Sequence, residues 1–263
     1  MKISIVTASF NQGPYIQKCI DSVRGQAGDF LVEHIILDNC STDETPVILD
    51  EYRRNPALVD VKILVKPDAG QTAAINEGFS TATGDIVCWL NTDEWYEDGA
   101  LQAVVDYFIV NPAVDFVFGD CAFVDSTGKL LKQKREFFFS KSMLIFYGCF
   151  IPSCSTFVRR KILEKNIYLD PNFKVTMDFD WYVRIAKAGF VIRHMPKILA
   201  SFTWHETNIS SVYAKRRKQE RLWVQDQFSG VKGPKFIRLF QYKILQSLWI
   251  LVRVLVRRVK QYA

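Results

Sequence analysis

No repeat and no low-complexity tract occurs in this chain, so a solenoid or a linker-dominated architecture is excluded. Six cysteines are present, Cys19, Cys40, Cys88, Cys121, Cys149 and Cys154, but they lack paired metal-ligand spacing and several lie inside apolar runs. That excludes a disulfide framework and reads as reduced thiols in a cytosolic protein. Glycine lacks the spacing of a dinucleotide fingerprint or a phosphate loop. The opening Met1-Lys2-Ile3-Ser4-Ile5-Val6-Thr7 turns polar too soon for a signal peptide and reads as a first strand. No acidic residue follows Asp226. Residues 227–263 therefore carry +8, and the body before them carries −2, although the whole chain sums to +6. A body without a basic face argues against nucleic acid as a partner.

What is present is a chain that is 49% hydrophobic over 263 residues, enough for one substantial core with room for two lobes. The first half alternates strand and helix signals. Strands are expected at Ile3–Ala8, Glu33–Asp38, Val61–Lys66 and Asp85–Leu90. Helices are expected at Tyr15–Gln26, Thr45–Arg54 (capped by Thr42 or Asp43), Thr72–Thr81 and Gly99–Val110. This order predicts a mostly parallel sheet with both faces covered, an α/β fold. The second half is less regular. It reads as a strand at Phe116–Phe123 broken by Gly119-Asp120, a strand pair over Lys129–Phe139, a strand at Ser153–Arg159, and a helix at Lys161–Lys165. An amphipathic helix at Asp178–Gly189 and a strand at Val191–Ser201 follow. Antiparallel pieces of this kind suggest a second lobe facing the first.

Ligands of open parallel sheets gather at the carboxyl ends of strands, where the strand order reverses. Polar clusters stand at those ends here: Ser9-Phe10-Asn11, Asp38 to Asp43, Asp68-Ala69-Gly70, and Asn91-Thr92-Asp93-Glu94. The last follows a buried apolar strand, where acids are costly unless a cation is nearby. A divalent ion with hard oxygen ligands and a diphosphate suits it. Gly70 and Ala73 at a helix start permit close backbone approach by an anion. Asp178 and Asp180 open a later helix two residues apart, so they point in different directions. Asp180 is spaced to pair with Arg184, which leaves Asp178 for a cleft. Of three histidines, His34 and His194 sit in strand contexts, and His205 follows a strand in Trp204-His205-Glu206-Thr207.

In this order these residues resemble inverting glycosyltransferases of family 2, with the GT-A fold: a Rossmann-like, mostly parallel mixed sheet with helices on both faces. The match runs roughly from Lys2 to Ser211. It implies a domain over residues 1–215, with a nucleotide-sugar half at 1–115 and an acceptor and base half at 116–215, followed by a helical tail at 216–263. It implies that Thr7, Ser9, Asn11, Asp38, Asp68, Gly70, Asn91 and Thr92 surround a UDP- or dTDP-linked sugar. Asp93 would ligate Mn²⁺ or Mg²⁺, His205 would contact the metal or the diphosphate, and Asp178 would be the catalytic base. The chain departs from the family pattern at Asn91, where an acid is usual, at Cys40, where glycine is common, and at Met177, where glutamate often precedes the base. The runner-up activity, nucleotidyl transfer, wants a basic loop after the first strand, but Ser9-Phe10-Asn11-Gln12-Gly13 has neither Lys nor Arg. A non-catalytic sugar-binding or scaffold protein of the same fold is the other alternative, and Asp93 and Asp178 argue against it.

The tail from Phe236 to Val259 is helix-like. Lys235, Arg238, Arg253, Arg257 and Lys260 fall on one side, and Ile237, Phe240, Ile244, Leu248, Leu251, Leu255 and Val259 on the other. Its apolar run reads as too short and interrupted to span a bilayer. A basic amphipathic helix suits the surface of an anionic membrane, and the alternative is a seat on the protein or on a second subunit. The expectation is a protein peripheral to the inner face of the cell membrane, acting on a lipid-linked or cell-surface glycan.

Overall fold

Alternating strand and helix patterns in the first half become four parallel strands with their crossovers. The computed structural model describes the chain except residues 137, 206–207, 209–211 and 263, and gives residues 257–262 by backbone course alone. Glu206, Thr207 and Ser211, with the side chains of Arg257, Val259 and Lys260, thus lie outside the described residues. Strands β1 (Lys2–Ser9), β2 (Leu31–Asp38), β3 (Val59–Val65) and β4 (Ile86–Trp89) alternate with helices α1 (Gly13–Arg24), α2 (Thr45–Arg54) and α3 (Gln71–Thr81). The strands pair in parallel in the order β3-β2-β1-β4, so the chain direction of growth reverses beside β1. Each crossover is a helix with one apolar stripe, such as Ile16, Cys19, Ile20 and Val23 of α1, all buried.

The strands of the second half join this sheet instead of forming a sheet of their own. Five more strands follow: β5 (Glu94–Tyr96), β6 (Phe116–Val124), β7 (Leu130–Lys134), β8 (Thr156–Arg159) and β9 (Ile192–Thr203). The full order is β3-β2-β1-β4-β8-β6-β9-β5, with β7 paired to β6. Strand β8 runs antiparallel to both β4 and β6, whereas β9 runs parallel to β6. Gly119 does not break β6: the strand continues, and the register against β9 shifts on either side of Asp120. Only half of the expected pair at Lys129–Phe139 is strand; helix α5 (Lys141–Tyr147), capped by Ser140, follows and carries no strong sequence period. Among the described residues the remaining α-helices are α4 (Ala100–Val110), α6 (Lys161–Glu164), α7 (Met177–Lys187), α8 (Ala214–Phe228) and α9 (Lys235–Tyr262).

Two apolar layers flank the sheet. One packs α3, α5 and α7 around Trp89, Phe79, Trp181 and Tyr182, whose rings lie 5.5–6.4 Å apart. The other packs α1 and α4 on the opposite face. Helix α3 lies close to the sheet because Gly78 has no side chain: a Cβ there would meet Val6 Cγ1 at 2.4 Å. At the far, amino-terminal edge of the sheet, the buried Glu33 carboxylate is gripped by Lys2, Lys62, Ser4 and Thr83. Burial alone would raise its pKa, but these partners outweigh it and hold the carboxyl down at about 2.

Helix α9 packs against α5 through a buried seam that includes Tyr242 and Arg253. Arg253 pairs with the buried Glu136 at 2.7 Å, and Arg238 pairs with Asp226 at 3.3 Å. The basic side chains are therefore partly spent on the body. Phe236, Phe240, Leu248, Leu251 and Leu255 face outward and are exposed. By length and composition Lys235–Val256 is long and apolar enough to cross a membrane, which corrects the expectation that its apolar run is too short. The helix stays continuous through its isolated charges, so single basic residues do not divide it.

Candidate functional site

The carboxyl ends of β1, β2 and β4 open into a cavity of about 580 Å³. Ser9, Asp68, Gly70, Asn91, Thr92, Asp93, Asp178 and His205 all line it. Residues separated by the whole first half of the chain thus share one crevice, because three parallel strands end there and α7 and β9 fold back over them.

One rim comes from loops directly after strands. Asp68 Oδ1 accepts from the Gly70 amide at 2.7 Å, and the Asp68 amide donates to Asn39 Oδ1 at 3.0 Å. Gly70 adopts φ +108°, a left-handed geometry that glycine takes without strain, and it starts α3 with the helix amino terminus on the cavity. Gln71 Nε2 donates to Asn91 Oδ1 at 2.9 Å. Asn91 therefore presents its NH₂ to a ligand, where an acid would present an acceptor. Thr92 donates its hydroxyl to Gln12 Oε1 at 3.0 Å.

Three residues expected around the nucleoside do not line this cavity. Thr7 is fully buried: its hydroxyl lies 2.8 Å from Leu90 O, as donor, and 3.0 Å from His34 Nε2. Asp38 is 1% exposed, and its carboxylate accepts from the Ser41 amide and hydroxyl at 2.8 and 2.6 Å. Asn11 is exposed at φ +51°, with Oδ1 accepting from the Thr42 amide at 2.9 Å. Asp38 and Asn11 tie the β1 and β2 loops together through Ser41 and Thr42, and Thr7 ties β1 to β2 and to the end of β4, instead of facing the cavity. For Asp38 and Asn11 the short loops turn the polar groups on each other. Asp43 has a similar part: it accepts from the Gly13 and Thr45 amides and joins α1 to α2.

The acid-and-imidazole group lies beside that rim. His205 Nε2 is 3.2 Å from Asp93 Oδ2, and Asn208 Nδ2 is 3.0 Å from the same oxygen. The His205 ring stacks on Tyr15, with centroids 4.9 Å apart. Burial pushes the Asp93 carboxyl up, and His205 and Asn208 oppose that push. Glu94 is buried underneath; its own burial and the neighbouring Asp93 charge raise it to about 8. A pocket that holds acids above their ordinary range is one that a divalent cation would relieve. Among the described residues no three His, Cys, Asp or Glu side chains form a cage. The donor set, one carboxylate and one imidazole, fits Mn²⁺ or Mg²⁺ if ligand oxygens complete the shell.

The opposite wall is α7. Asp180 is buried and pairs with Arg184 at 2.7 Å, as the spacing predicts. Asp178 lines the cavity, with Oδ1 accepting from the Phe179 amide at 2.7 Å and Cys149 Sγ donating toward Oδ2 at 3.6 Å. Burial raises the Asp178 carboxyl above its usual range, and those two hydrogen bonds oppose the rise. His194, expected to be structural, is buried against Asp120 at 2.8 Å. Asn39, from the Asp38-to-Asp43 cluster, also lines the cavity, and so do Gln12, Tyr15, Gln71, Lys174 and Asn208, which were not anticipated. Gln12 and Tyr15 follow β1 immediately, so proximity to the first strand end was their one available signal.

Residues 4–167 match the model of Glycosyl transferase family 2. An uncharacterized glycosyltransferase of Nostoc is 28% identical over 180 residues, 65% of this chain, and the chain spans just 55% of that relative's length. Among solved structures, Staphylococcus aureus TarS 1-349 in complex with UDP-GlcNAc superposes with a TM-score of 0.69 at 20% identity, over 95% of this chain and 72% of that one. A mannosyltransferase of Pyrobaculum calidifontis in complex with GDP-Man and Mn²⁺ gives 0.64 at 18% identity, over 88% and 65%. These likenesses are likenesses of fold, and the fold is GT-A. With a family model covering most of the sheet and the cavity's strand ends, the chain belongs to glycosyl transferase family 2.

Proposed function

We propose that this protein transfers a sugar from a nucleoside diphosphate sugar to a hydroxyl of a glycan acceptor, with inversion at the anomeric carbon. The observation that carries the reading is the shared cavity of Asp93, His205, the α3 amino terminus and Asp178. The α3 amino terminus and the Asn91 NH₂ offer hydrogen-bond donors to the diphosphate and ribose. Asp93 and His205 would hold Mn²⁺ or Mg²⁺, and that ion supplies charge neutralisation for the departing diphosphate. Asp178 accepts the proton of the acceptor hydroxyl as that oxygen attacks, and its raised affinity for a proton suits a general base. Attack on the face opposite the leaving group inverts the centre. The donor is a UDP- or dTDP-linked hexose, a choice supported by the UDP-GlcNAc held by TarS.

The test is turnover. The purified chain is incubated with UDP-GlcNAc, UDP-glucose, dTDP-glucose and GDP-mannose, with Mn²⁺ and with EDTA, and release of the nucleoside diphosphate is followed. Metal-dependent release from one donor is expected, and no release from any donor overturns the reading.

We further infer that α9 lies on the cytoplasmic face of the cell membrane and brings the site to a lipid-linked acceptor. Its apolar residues face outward, whereas Tyr242 and Arg253 are tied to the body, so the helix lies along the protein with an unpartnered apolar side. Lys232, Lys235 and Lys243 suit anionic headgroups. Sedimentation with phosphatidylglycerol vesicles tests this: binding is expected, and recovery of the full chain in the supernatant ends the idea. The same chain sedimenting alone as a dimer would assign the face to a second copy.

A further inference from the structure

Helix α8 begins well beyond the residues that match the family model, yet it reaches both segments that lead to Asp178. Glu220 is 8% exposed. Its carboxylate accepts from three successive amides, Lys174 and Val175 at 3.0 Å and Thr176 at 2.9 Å, and from the Thr176 hydroxyl at 3.1 Å. Arg216 Nε donates to it at 2.6 Å from the preceding turn. A helix start ordinarily finds its acceptor in its own N-cap side chain. Thr176, the residue in that place on α7, makes no such bond and gives its hydroxyl to Glu220. The entry to α7 is thus fixed from α8.

The next residue grips the other segment. Arg221 donates to Tyr147 O at 2.7 Å, and its guanidinium fills the space beside Gly148, where a Cβ would lie 3.1 Å from Cζ. Gln225, one turn on, donates to Ile145 O at 2.9 Å. Cys149 comes directly after this anchored turn, and its thiol is the one that donates to Asp178.

We propose that Glu220 and Arg221 are positioning residues for Asp178: one helix holds the backbone that carries the base and the backbone that carries the base's thiol donor. The proposal rests on the glycosyl-transfer reading for what the positioning achieves. The donor-side rim is built from the ends of β1, β4 and β9 and the start of α3 and takes no side chain from α8, so loss of the clamp separates turnover from donor binding.

The experiment compares Glu220→Ala, Glu220→Gln, Arg221→Ala and the exposed-face control Lys218→Ala with the parent, each checked by circular dichroism, using the donor turned over fastest in the panel above. With Glu220→Ala and Arg221→Ala, kcat is expected to fall roughly ten- to a hundredfold while donor KM stays within about twofold, the signature of a displaced catalytic group. Glu220→Gln retains an acceptor oxygen and recovers part of the loss, and Lys218→Ala matches the parent. A folded Glu220→Ala with kcat within about twofold of the parent overturns the proposal, and so does a parallel loss of kcat and donor affinity. If the parent turns over no donor, the function fails separately. The clamp is then read by hydrogen exchange at the amides of residues 174–176 and by alkylation of Cys149 in a Cys40→Ser background. Exchange is expected to accelerate roughly tenfold or more in Glu220→Ala, and alkylation by as much in Arg221→Ala, and unchanged rates overturn it.

Discussion

The two walls of the cavity are made differently. The donor-side wall is assembled mostly from loops that directly follow β1 to β4, joined by His205 and Asn208 from beyond the end of β9. The base-side wall is assembled from parts remote in sequence: α7, the turn after α5, and α8 behind both. The first wall is tied by side chains that bridge neighbouring strand ends, such as Gln71 on Asn91 and Asn208 on Asp93, and the second by α8 side chains bonded to the backbone of remote segments. Helix α3 joins the two, since Thr72 donates to Phe173 O at 3.2 Å and Asn76 Nδ2 to Leu169 O at 2.8 Å.

The sharpest break in that comparison is Asp178→Asn. It removes the proton acceptor and keeps the shape, so kcat should fall roughly a hundred- to ten-thousandfold, with donor affinity by calorimetry unchanged. In the parent, kcat should decline on acidification at a pH above the ordinary carboxylate range, because burial raises the Asp178 carboxyl. Next in size is Glu33→Gln, at the sheet edge away from the cavity. The Glu33 pKa is held at about 2 against an ordinary 4.5. Its ionised form therefore stabilises the fold fully above pH 4.5, and that stability is lost as pH falls toward 2. Urea melts should show about 3 kcal/mol less stability for the variant at pH 7, converging with the parent near pH 2, while donor KM stays put.

Asn208→Ala is the smaller break at the donor wall. Asn208 holds both Asp93 and His205, so its loss should weaken Mn²⁺ affinity roughly tenfold by titration, as loss of an outer-shell partner does. The smallest is Thr7→Val. A buried hydroxyl whose partners are Leu90 O and His34 should cost about 1 kcal/mol in thermal stability and leave donor KM unchanged. A raised KM would return Thr7 to the nucleoside.

Legibility followed the same division. Helix α2 runs over Thr45–Arg54 as the periodicity predicts, and the parallel pairing of β1 to β4, though not their order in the sheet, follows from alternation alone. Asp93 and Asp178 drew notice because acids at strand and helix ends have few cheap explanations, whereas His205 was marked only by the family resemblance; all three line the one cavity. Strand β5, only Glu94–Tyr96, was hidden inside the acidic motif, since a three-residue strand leaves no period to detect. The Thr7 and Asp38 positions misled because a polar residue at a strand end can face the ligand or its neighbouring loop, and sequence does not say which. Glu220 carried no signal at all. In Arg216-Arg217-Lys218-Gln219-Glu220 it reads as one charge on a solvated helix, and only tertiary packing turns it inward.

The strand order has a consequence for synthesis. Strand β8 fills the place between β4 and β6. As the chain leaves the ribosome, Ile86–Trp89 can zip onto β1, but its other flank stays open until Thr156–Arg159 emerges. That flank is entirely apolar in side chains and bare in amides and carbonyls. A nascent chain stalled in between would carry an adhesive ribbon, so shielding by a chaperone matters most over this stretch of translation.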